Sequence, residues 1–460
     1  MTLTALKRGL ALIAVCFYLS GCAHNSVFVN YPSQIAPIKQ GLNSNTPLKG
    51  ASQLEPAISG NDGLLYAQEA GRIAQIAGDF DASKQYYQQA ITRYLTFDDE
   101  ALISASQLGS TASSFLFNDN VIPYRGPGYE RILLHQYQAL NYLFSGDPQG
   151  ALVEVRRSNE LQSLEQEKYQ KSLKSIQSLA NGSVDSEVAR LEEASGNLSS
   201  SFLNAYSYYV TGLLHEILGE PNDAFIDYRK AAQIAPRNPF VQQDIVRLAN
   251  QLKMPQAQEF EQRFGQPVFA GKHQGQVVII IEKAFVPIKQ SFTVPFTIDG
   301  NIQTAALATY PSRMPAQSNV TINGLSNPMT AATIANIDAL AITALKEDLP
   351  AALARQAARV YAKSEIASSI TSNSKRGRNE LDIGSIAIQL FNVVSEQADR
   401  RSWLTLPRQA QIARQYADSG EYTLNLDNTN STQITVEPGR TTLIWAIDTG
   451  NYLRFYSILI

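Results

Sequence analysis

The sequence predicts an α+β fold, in which an all-α N-terminal half of helical repeats is followed by an α+β domain with a mostly antiparallel sheet and inserted helices. Two observations support this prediction. Between about residues 61 and 265, apolar side chains recur at helical spacing and small residues recur in paired helices. From residue 276 onward, short apolar or alternating runs separated by Pro and Gly flank a central helical stretch. The length of 460 residues agrees with two folded domains.

The N-terminus has the features of a bacterial lipoprotein signal peptide, which we predict to span residues 1–21. Lys7 and Arg8 precede a short apolar run, and the sequence Leu19-Ser-Gly-Cys follows it directly. The apolar run is too short to cross a bilayer, which favours a cleaved signal. A small pair of residues before a cysteine is typical of lipidation, so Cys22 is the predicted lipidation site. Ala23 follows instead of an aspartate, which favours the outer membrane.

The composition limits the classes of function. The chain has 2 Cys; Cys16 would leave with the signal peptide and Cys22 would carry lipid, so we expect neither a disulfide nor a cysteine zinc site. The formal net charge is −3 and the charges are dispersed, which argues against a nucleic-acid partner. No second segment approaches the roughly 18 apolar residues of a transmembrane helix.

Residues 22–60 are predicted to form a lipidated tether. This stretch is polar, contains several prolines and shows no hydrophobic period. We therefore expect it to hold the folded part of the chain away from the membrane.

The clearest helical pair spans Tyr208 to Pro236, within the predicted repeat domain of residues 61–265. Gly212, Ala224 and Ala231 occupy small positions of a tetratricopeptide unit, whose length is about 34 residues, and Tyr208 and Tyr228 occupy large ones. Small residues allow two antiparallel helices to approach, and the tyrosines fill the remaining space. Such units stack into a curved array. The alternative is a non-repetitive helical bundle with the same pairwise packing.

Two further turns repeat this pattern, at 78–82 and 146–151, and match Ala82 and Ala151 to Ala224. Residues 161–201, between the second and third units, are predicted to be an insertion rich in Ser, Gln and Glu. A solvated helical hairpin and an extended arm that grasps a partner both fit this composition. Asn238–Leu252 either begins another unit or caps the array.

The second half, residues 276–460, is predicted to contain strands within 277–325, helices within 334–398 and strands within 410–460. An apolar period begins a long helix, predicted from Ile334 to about Ser369, and Pro350 interrupts the period. A second apolar helix is predicted at Ile383–Glu396, after a basic turn. The terminal strand, Tyr452–Ile460, is expected to complete the sheet.

Catalytic and metal-binding motifs are not evident in the sequence. The 4 His have no metal-ligand spacing, and His215 is expected to be a satisfied, half-buried residue between helices. Ser372-Asn-Ser-Lys375 matches the serine–lysine spacing of penicillin-recognising enzymes, but it lies in a polar turn without the later partner motif. We therefore predict no catalytic residues, no metal ligands and no cofactor.

The stretch from Ile122 to Ala151 is the richest in special residues. Gly126-Pro-Gly128 lacks the third glycine of a dinucleotide loop and the glycine–lysine pair of a phosphate loop. It is predicted to start a helix, with Glu130 in the first turn. A polar–aromatic stripe on this helix either binds a peptide or glycan or is an ordinary solvated face. The predicted binding residues are Tyr124, Arg125, Tyr129, Arg131, His135, Gln138 and Tyr142.

Separated segments of the chain resemble an uncharacterised family of proteobacterial outer-membrane lipoproteins with tetratricopeptide-like repeats. The segments are Tyr124–Arg131, Leu134–Tyr142, Gly146-Asp147, Val153–Arg157 and Arg401–Pro407. The resemblance implies an envelope context, because such proteins are often encoded beside a lipoprotein activator of penicillin-binding proteins. It implies no catalytic residues.

Together these features predict an outer-membrane lipoprotein that faces the periplasm and acts as a protein-interaction scaffold, not an enzyme, in cell-envelope or peptidoglycan assembly. Its expected partners are the membrane, through Cys22, and envelope proteins such as peptidoglycan synthases or their lipoprotein activators. Two alternatives stay open. One is an enzyme acting on envelope glycans or peptides, with Glu130, Arg131 and His135 as first candidates. The other is an accessory lipoprotein of an outer-membrane export system.

Overall fold

The computed structural model describes residues 30–43, 49–106, 122–176, 182–196, 198, 200–298, 301–316, 318–374, 398–427 and 430–460. Cys22 and the predicted signal peptide lie outside these ranges. The helices are α1 (Tyr31–Leu42), α2 (Lys49–Ser52), α3 (Glu55–Ile58), α4 (Gly63–Ile76), α5 (Phe80–Ser106), α6 (Gly128–Phe144), α7 (Pro148–Ile176), α8 (Gly182–Ala194), α9 (Ala205–Ile217), α10 (Pro221–Ile234), α11 (Pro239–Gln251), α12 (Ala257–Phe264) and α13 (Ile337–Ser374). The strands are β1 (Gln274–Lys283), β2 (Gln290–Ile298), β3 (Asn301–Thr309), β4 (Thr321–Asn323), β5 (Met329–Thr330), β6 (Ala332–Asn336), β7 (Gln409–Asp418), β8 (Gly420–Leu426), β9 (Asn430–Val436), β10 (Thr441–Asp448) and β11 (Leu453–Leu459). Helices thus fill the N-terminal half and strands dominate the C-terminal half, which confirms the predicted α+β class.

Four helix pairs follow one another in the N-terminal half: α4 with α5, α6 with α7, α9 with α10, and α11 with α12. In the first three pairs, the turn contains a glycine in the left-handed region: Gly78, Gly146 and Gly219, with φ of 83°, 79° and 87°. The residue after each glycine donates its N–H to a carbonyl five residues earlier, at 3.0, 2.8 and 2.7 Å. Glycine favours this helix cap because it has no Cβ to clash. The three turns therefore share one geometry.

The register of the repeat depends on a close contact between the two helices of a pair. A Cβ at Gly71 would lie 2.3 Å from the ring of Tyr87, just as a Cβ at Gly212 would meet the tyrosine ring of its own pair at 2.9 Å. This equivalence makes Ser83 the small residue of the second helix, so the predicted match at Ala82 was wrong by one position. Ser83 fits there because its hydroxyl donates to the Gly71 carbonyl at 2.7 Å.

The fourth pair has the same turn without the glycine. Lys253 lies between α11 and α12 with φ of 56°, and the next amide, of Met254, donates to the Ala249 carbonyl at 2.8 Å. In this conformation the lysine Cβ crowds a neighbouring carbonyl oxygen. The sequence showed only a helix here because the usual glycine is missing.

Replacing this lysine by glycine should stabilise the protein. We expect Lys253→Gly to raise the free energy of unfolding by about 0.5–1 kcal/mol, because relief of the left-handed strain exceeds the greater entropy of glycine in the unfolded chain. Urea unfolding measures this change. The opposite substitution, Gly219→Ala, should lower stability at the equivalent turn; equal stability of both variants and the wild type would contradict the shared geometry.

The second part of the predicted tether is folded. Asn30 caps α1 with its side chain, and Pro32 lies in the first turn, where a missing N–H does no harm. Tyr31 and Ile35 are buried in the main core, and the Tyr31 hydroxyl donates to Glu69 at 2.6 Å. The tether prediction was therefore wrong for α1, because its prolines concealed a helix whose apolar side chains pack on the body.

The C-terminal half contains a five-stranded sheet in the order β11-β10-β1-β7-β6, a four-stranded sheet in the order β5-β4-β8-β9, and a hairpin of β2 and β3. Among the described strand pairs, only β1 and β10 run parallel. One face of the larger sheet packs on the helices and the other on the smaller sheet. Strand β11 pairs with β10 at the edge, as predicted for the C-terminus.

The long central helix begins later than the sequence suggests. Ile334 lies in β6, which pairs with β7, and α13 starts at Ile337. Apolar residues on the buried side of a short strand extended the apparent helical period. Pro350 lies inside α13 without ending it, and the predicted helix at 383–396 falls outside the described residues. Within the described chain, no helix is long and apolar enough to cross a membrane.

The two halves share one hydrophobic core. Buried residues of the first helix in each pair, of β1 and of β10 belong to a single cluster. Every residue of α4 is buried, although a repeat array standing alone exposes one face of such a helix. The inner surface, which we define as the side of α4, α6, α9 and α11 that faces the sheet, is thus filled by the C-terminal half of the same chain.

Candidate functional site

Two segments with family resemblance meet where the halves join. The loop before α6 and the segment 401–407 before β7 are connected through Glu130. The Trp403 amide donates to Glu130 Oε1 at 3.0 Å, and the Tyr124 hydroxyl donates to Oε2 at 2.8 Å. Glu130 is fully buried. Its carboxylate therefore binds the helix-starting loop to the C-terminal half, in addition to lying in the first turn of α6.

Arg401 makes a second connection at the same place. Its guanidinium donates to Asp62 Oδ1 at 2.6 Å, to the Ile122 carbonyl at 2.8 Å and to Asp399 Oδ2 at 2.7 Å. Burial alone would raise the pKa of Asp399, but the adjacent Arg401 charge outweighs it and holds that pKa below its usual range. The charge of Arg401 therefore outweighs burial at Asp399, whereas at Asp62 burial outweighs that charge and raises the pKa of the carboxyl group.

Glu69 on α4 makes a third connection. It accepts hydrogen bonds from the Leu404 amide at 2.6 Å, the Thr405 hydroxyl at 2.5 Å and the Tyr31 hydroxyl at 2.6 Å. Burial raises the pKa of Glu69, and these three donors oppose that rise. One carboxyl group thus holds together α1, α4 and the segment before β7.

The deepest polar contact is an ion pair between Arg72 on α4 and Glu282 on β1. Their side chains are 1% and 0% exposed, so no solvent screens the two charges. Tyr137 and Tyr206 donate to Glu282 Oε1 at 3.0 and 2.7 Å. The Arg72 guanidinium also lies 4.3 Å from the ring centroid of Tyr137. Residues of three repeat helices therefore converge on one carboxylate of the sheet.

A junction cavity of about 510 Å³ lies beside the Glu130 and Arg401 contacts. Its wall includes the loop before α6, part of α13, Lys289 and Tyr310. Several charged groups in this wall bind other parts of the protein: Lys289 Nζ donates to the Arg401 carbonyl at 2.9 Å, and Glu347 accepts from the Ser200 hydroxyl at 2.9 Å. Glu347 also accepts from the hydroxyl of Ser201, another wall residue, at 2.5 Å, so this carboxylate is occupied by hydrogen bonds within the protein.

Four predicted binding residues are internal. Tyr124 and Tyr129 pack around Glu130. His135 Nδ1 lies 2.6 Å from Glu154 Oε2 on α7, and Gln138 Nε2 donates to the Lys84 carbonyl of α5 at 3.1 Å. These four residues were predicted to bind a partner, whereas the structure buries them, because the polar stripe of α6 packs against the second helices of two pairs.

The other three predicted residues lie nearer the surface but are also engaged. Arg131 forms two hydrogen bonds with Asp98, at 3.1 and 2.6 Å. Arg125 pairs with Glu100, and the ring of Tyr142 lies 5.5 Å below Lys84 Nζ. These contacts link α6 and its loop to α5. The stripe is thus part of the helix packing rather than a free binding surface.

The polar residues that join the halves, Glu69, Arg72 and Glu282, were not predicted from the sequence, nor was Gln75, which supports Arg72 within the helical half. Gln75 accepts from Arg72 at 2.7 Å and donates to Asn141 at 2.6 Å. The sequence contained an indication of three of them, because α4 carries Glu69, Arg72 and Gln75 at helical spacing along an otherwise Ala- and Ile-rich helix. In an isolated array that pattern indicates a solvated face, so only the position of the sheet shows their role.

One group among the described residues has the composition of a cation site. Ligand atoms of His215, Glu220 and Asp223 lie within 4.8 Å of one another. His215 Nδ1 is 2.7 Å from Glu220 Oε2, and Arg156 binds the other oxygen of Glu220. These contacts account for the histidine as a satisfied residue between helices, as the sequence suggested, so we assign no metal to the group.

Glu130 was also a candidate catalytic acid. Burial raises its pKa to about 7, while hydrogen bonds from Trp403 and Tyr124 and the charge of Lys289 oppose the rise. Its side chain borders the junction cavity but has no exposed surface. Because an acid must reach the proton acceptor on its substrate, the buried position favours a role in joining the halves.

The raised pKa predicts a specific pH dependence of stability. Because folded Glu130 holds its proton up to about pH 7 while the unfolded group loses it near 4.5, its stabilising contribution is lost as pH rises through that window. Glu130→Gln should match the wild type near pH 5 and be about 2–3 kcal/mol more stable near pH 8. Urea unfolding at both pH values tests this. The exposed Glu437→Gln variant is the control and should show no such gain in stability over the wild type between pH 5 and pH 8. A stability difference between Glu130→Gln and the wild type that is the same at both pH values would contradict the prediction.

Comparison with known families agrees with the repeat geometry. Residues 66–96 match the family model described as tetratricopeptide repeat. This range contains most of α4 and the first part of α5, including Gly71, Ser83 and Tyr87. None of the curated proteins matches the chain. Tetratricopeptide repeats generally mediate protein–protein interactions, so the chain carries a protein-interaction repeat.

Proposed function

We propose that the protein is an outer-membrane-anchored periplasmic lipoprotein that acts as a protein-interaction scaffold in cell-envelope or peptidoglycan assembly. The observation that carries the scaffold role is the stack of four helix pairs, of which the first matches the tetratricopeptide model. The lipobox ending at Cys22 and the resemblance to envelope lipoproteins support the location. The proposal includes no catalytic activity.

The outer helices are the surface that this scaffold offers to protein partners. The inner surface is filled by the C-terminal half, so a partner cannot enter it as in an open array. On the outer side, Val153 of α7 and Ile226 of α10 are 45% and 42% exposed. Each lies two residues after the small residue of its helix, Ala151 or Ala224, and therefore at the same position of the repeat. Single exposed apolar residues are common on protein surfaces, so we use these two equivalent positions as probes of the outer side.

Site-specific photo-crosslinking in intact bacteria tests this proposal. A photoreactive amino acid in place of Val153 or Ile226 should capture a discrete envelope protein, such as a peptidoglycan synthase or its lipoprotein activator. The same amino acid in place of Gln433, an exposed residue of β9, is the matched control. Capture of no envelope protein at either outer position would count against the scaffold role, and capture of export components would favour the export alternative.

Lipidation is tested separately. Labelled palmitate should be incorporated into the wild-type protein and appear in the outer-membrane fraction, whereas Cys22→Ser should incorporate none. Incorporation into the serine variant, or a wild-type protein found in another fraction, would contradict the proposed anchor.

A further inference from the structure

A groove on the outer side of the first repeat has chemistry that protein packing does not explain. This outer groove, defined by residues 55–61 and one face of α5 between Ala82 and Glu100, has a volume of about 1140 Å³. At about 1.5 Å per residue, that part of α5 is about 27 Å long. The groove is therefore long enough for a chain-like ligand.

Uncharged polar side chains dominate the α5 wall. Gln85, Gln88 and Gln89 are exposed, and their side-chain amides make no hydrogen bond within the described part of the chain. Thr92 and Thr96 continue the same face, with hydroxyls that donate to carbonyls of the preceding turn at 2.9 and 3.1 Å. These hydroxyl oxygens can still accept hydrogen bonds. The wall thus offers paired donors and acceptors without net charge.

The charged groups of the groove are bound by other parts of the protein. The Arg93 guanidinium donates to the Ile58 carbonyl, and Glu55 accepts from the Tyr86 hydroxyl. Glu100 pairs with Arg125. Arg93 is therefore held at a backbone carbonyl, and the formal charges of Glu55, Arg93, Glu100 and Arg125 sum to zero, which does not favour a phosphate or a carboxylate ligand.

Two aromatic rings lie on the same wall. Tyr86 and Phe97 are half-buried, and their separation of eleven residues equals about three helical turns. They therefore project from similar sides of α5. Arg125 lies over the ring of Phe97 at 4.7 Å, which leaves Tyr86 as the more available ring. Aromatic faces attract the C–H groups of a sugar ring because the face carries partial negative charge.

From these contacts we infer that the outer groove binds an uncharged polysaccharide chain. Free amides match vicinal hydroxyl groups, and the rings match sugar faces. A helical peptide needs an apolar groove, an acidic motif needs an Arg cluster, and a nucleic acid needs unpaired cations. A drug-like apolar ligand needs an apolar pocket. The inference goes beyond the proposed scaffold function, since protein capture at α7 and α10 does not depend on this groove.

Calorimetric titration of the purified, detergent-solubilised full chain with cellohexaose and chitohexaose tests the inference. At least one hexasaccharide should bind, and the affinity should not change between about 50 and 500 mM salt because no counterions are released. Gln85→Ala/Gln89→Ala and Tyr86→Ala should each weaken binding about tenfold, which corresponds to about 1.4 kcal/mol.

Two control variants separate recognition from folding. Tyr86→Phe retains the ring and should bind nearly as the wild type does, and Gln233→Ala removes an exposed amide from α10 and should have no effect. Absence of binding to both sugars at millimolar concentration would overturn the inference. Wild-type affinity in the groove variants, or preferential binding of an uncharged Ser/Gly peptide, would also overturn it. Loss of sugar binding with intact crosslinks at Val153 and Ile226 leaves the scaffold function standing.

Discussion

The Glu282→Gln variant should unfold with about 3–5 kcal/mol less free energy than the wild type, because it leaves the Arg72 charge buried without its partner. Both side chains are at most 1% exposed, so water cannot compensate. The new amide would direct a donor toward the guanidinium. Urea unfolding, followed by the fluorescence of the buried Trp403 and Trp445, measures the loss.

A double-mutant cycle separates the missing charge from a general packing defect. Arg72→Met removes the buried charge, so Arg72→Met/Glu282→Gln should be more stable than Glu282→Gln alone. The exposed pair of Arg440 and Glu437, with side chains 45% and 44% exposed, is the control; Glu437→Gln should cost less than about 1 kcal/mol. Equal losses of unfolding free energy in Glu282→Gln and Glu437→Gln would show that the ion pair between the halves stabilises the fold no more than an exposed pair does.

Trp403→Ala should destabilise the protein by about 3–5 kcal/mol, the range for deletion of a large buried aromatic side chain. The indole is fully buried and meets the rings of Tyr87 and Tyr137 edge-on, with centroids at 5.8 and 5.9 Å. Its Nε1–H donates to the Thr405 hydroxyl at 3.1 Å. Circular dichroism during urea unfolding is the appropriate measurement, because the variant lacks one of the two fluorophores.

Trp403→Phe is the matched control for that substitution. It retains an aromatic ring against Tyr87 and Tyr137 and loses the hydrogen bond to Thr405, so its cost should be less than half that of alanine. A free energy of unfolding unchanged in Trp403→Ala would show that the segment before β7 contributes little to joining the halves.

The local pattern of the chain predicted the elements better than their arrangement. Gly78, Gly146 and Gly219 mark the repeat turns because each adopts a positive φ that other residues avoid. At Lys253 the positive φ is adopted by a residue other than glycine, so the sequence does not indicate the turn. Ile334 was assigned to a helix because a buried face in a short strand and a helical face both place apolar residues at close spacing.

The candidate site was only partly predictable for a different reason. The Tyr124–Arg131 loop stands out by composition and the segment 401–407 by the family resemblance, and the structure brings them together through Glu130 and Arg401. Whether a polar side chain is solvated or buried, however, depends on what packs on it from distant parts of the chain. His135 illustrates this point, since a carboxylate of α7 occupies the side on which a ligand was expected.

The burial of α1 limits how far the body could lie from the proposed lipid anchor at Cys22. If Cys22 carries the lipid, only eight peptide links separate it from Asn30, a contour of at most about 28 Å. A tether extending to residue 60 would have reached several times farther. The Tyr31 hydroxyl donates to Glu69. Tension applied at the N-terminal end of α1 would therefore act on the hydrogen bonds that Glu69 accepts from Leu404 and Thr405. With a lipid at Cys22, the body would be confined to a thin layer under the membrane, and any partner would have to reach it there.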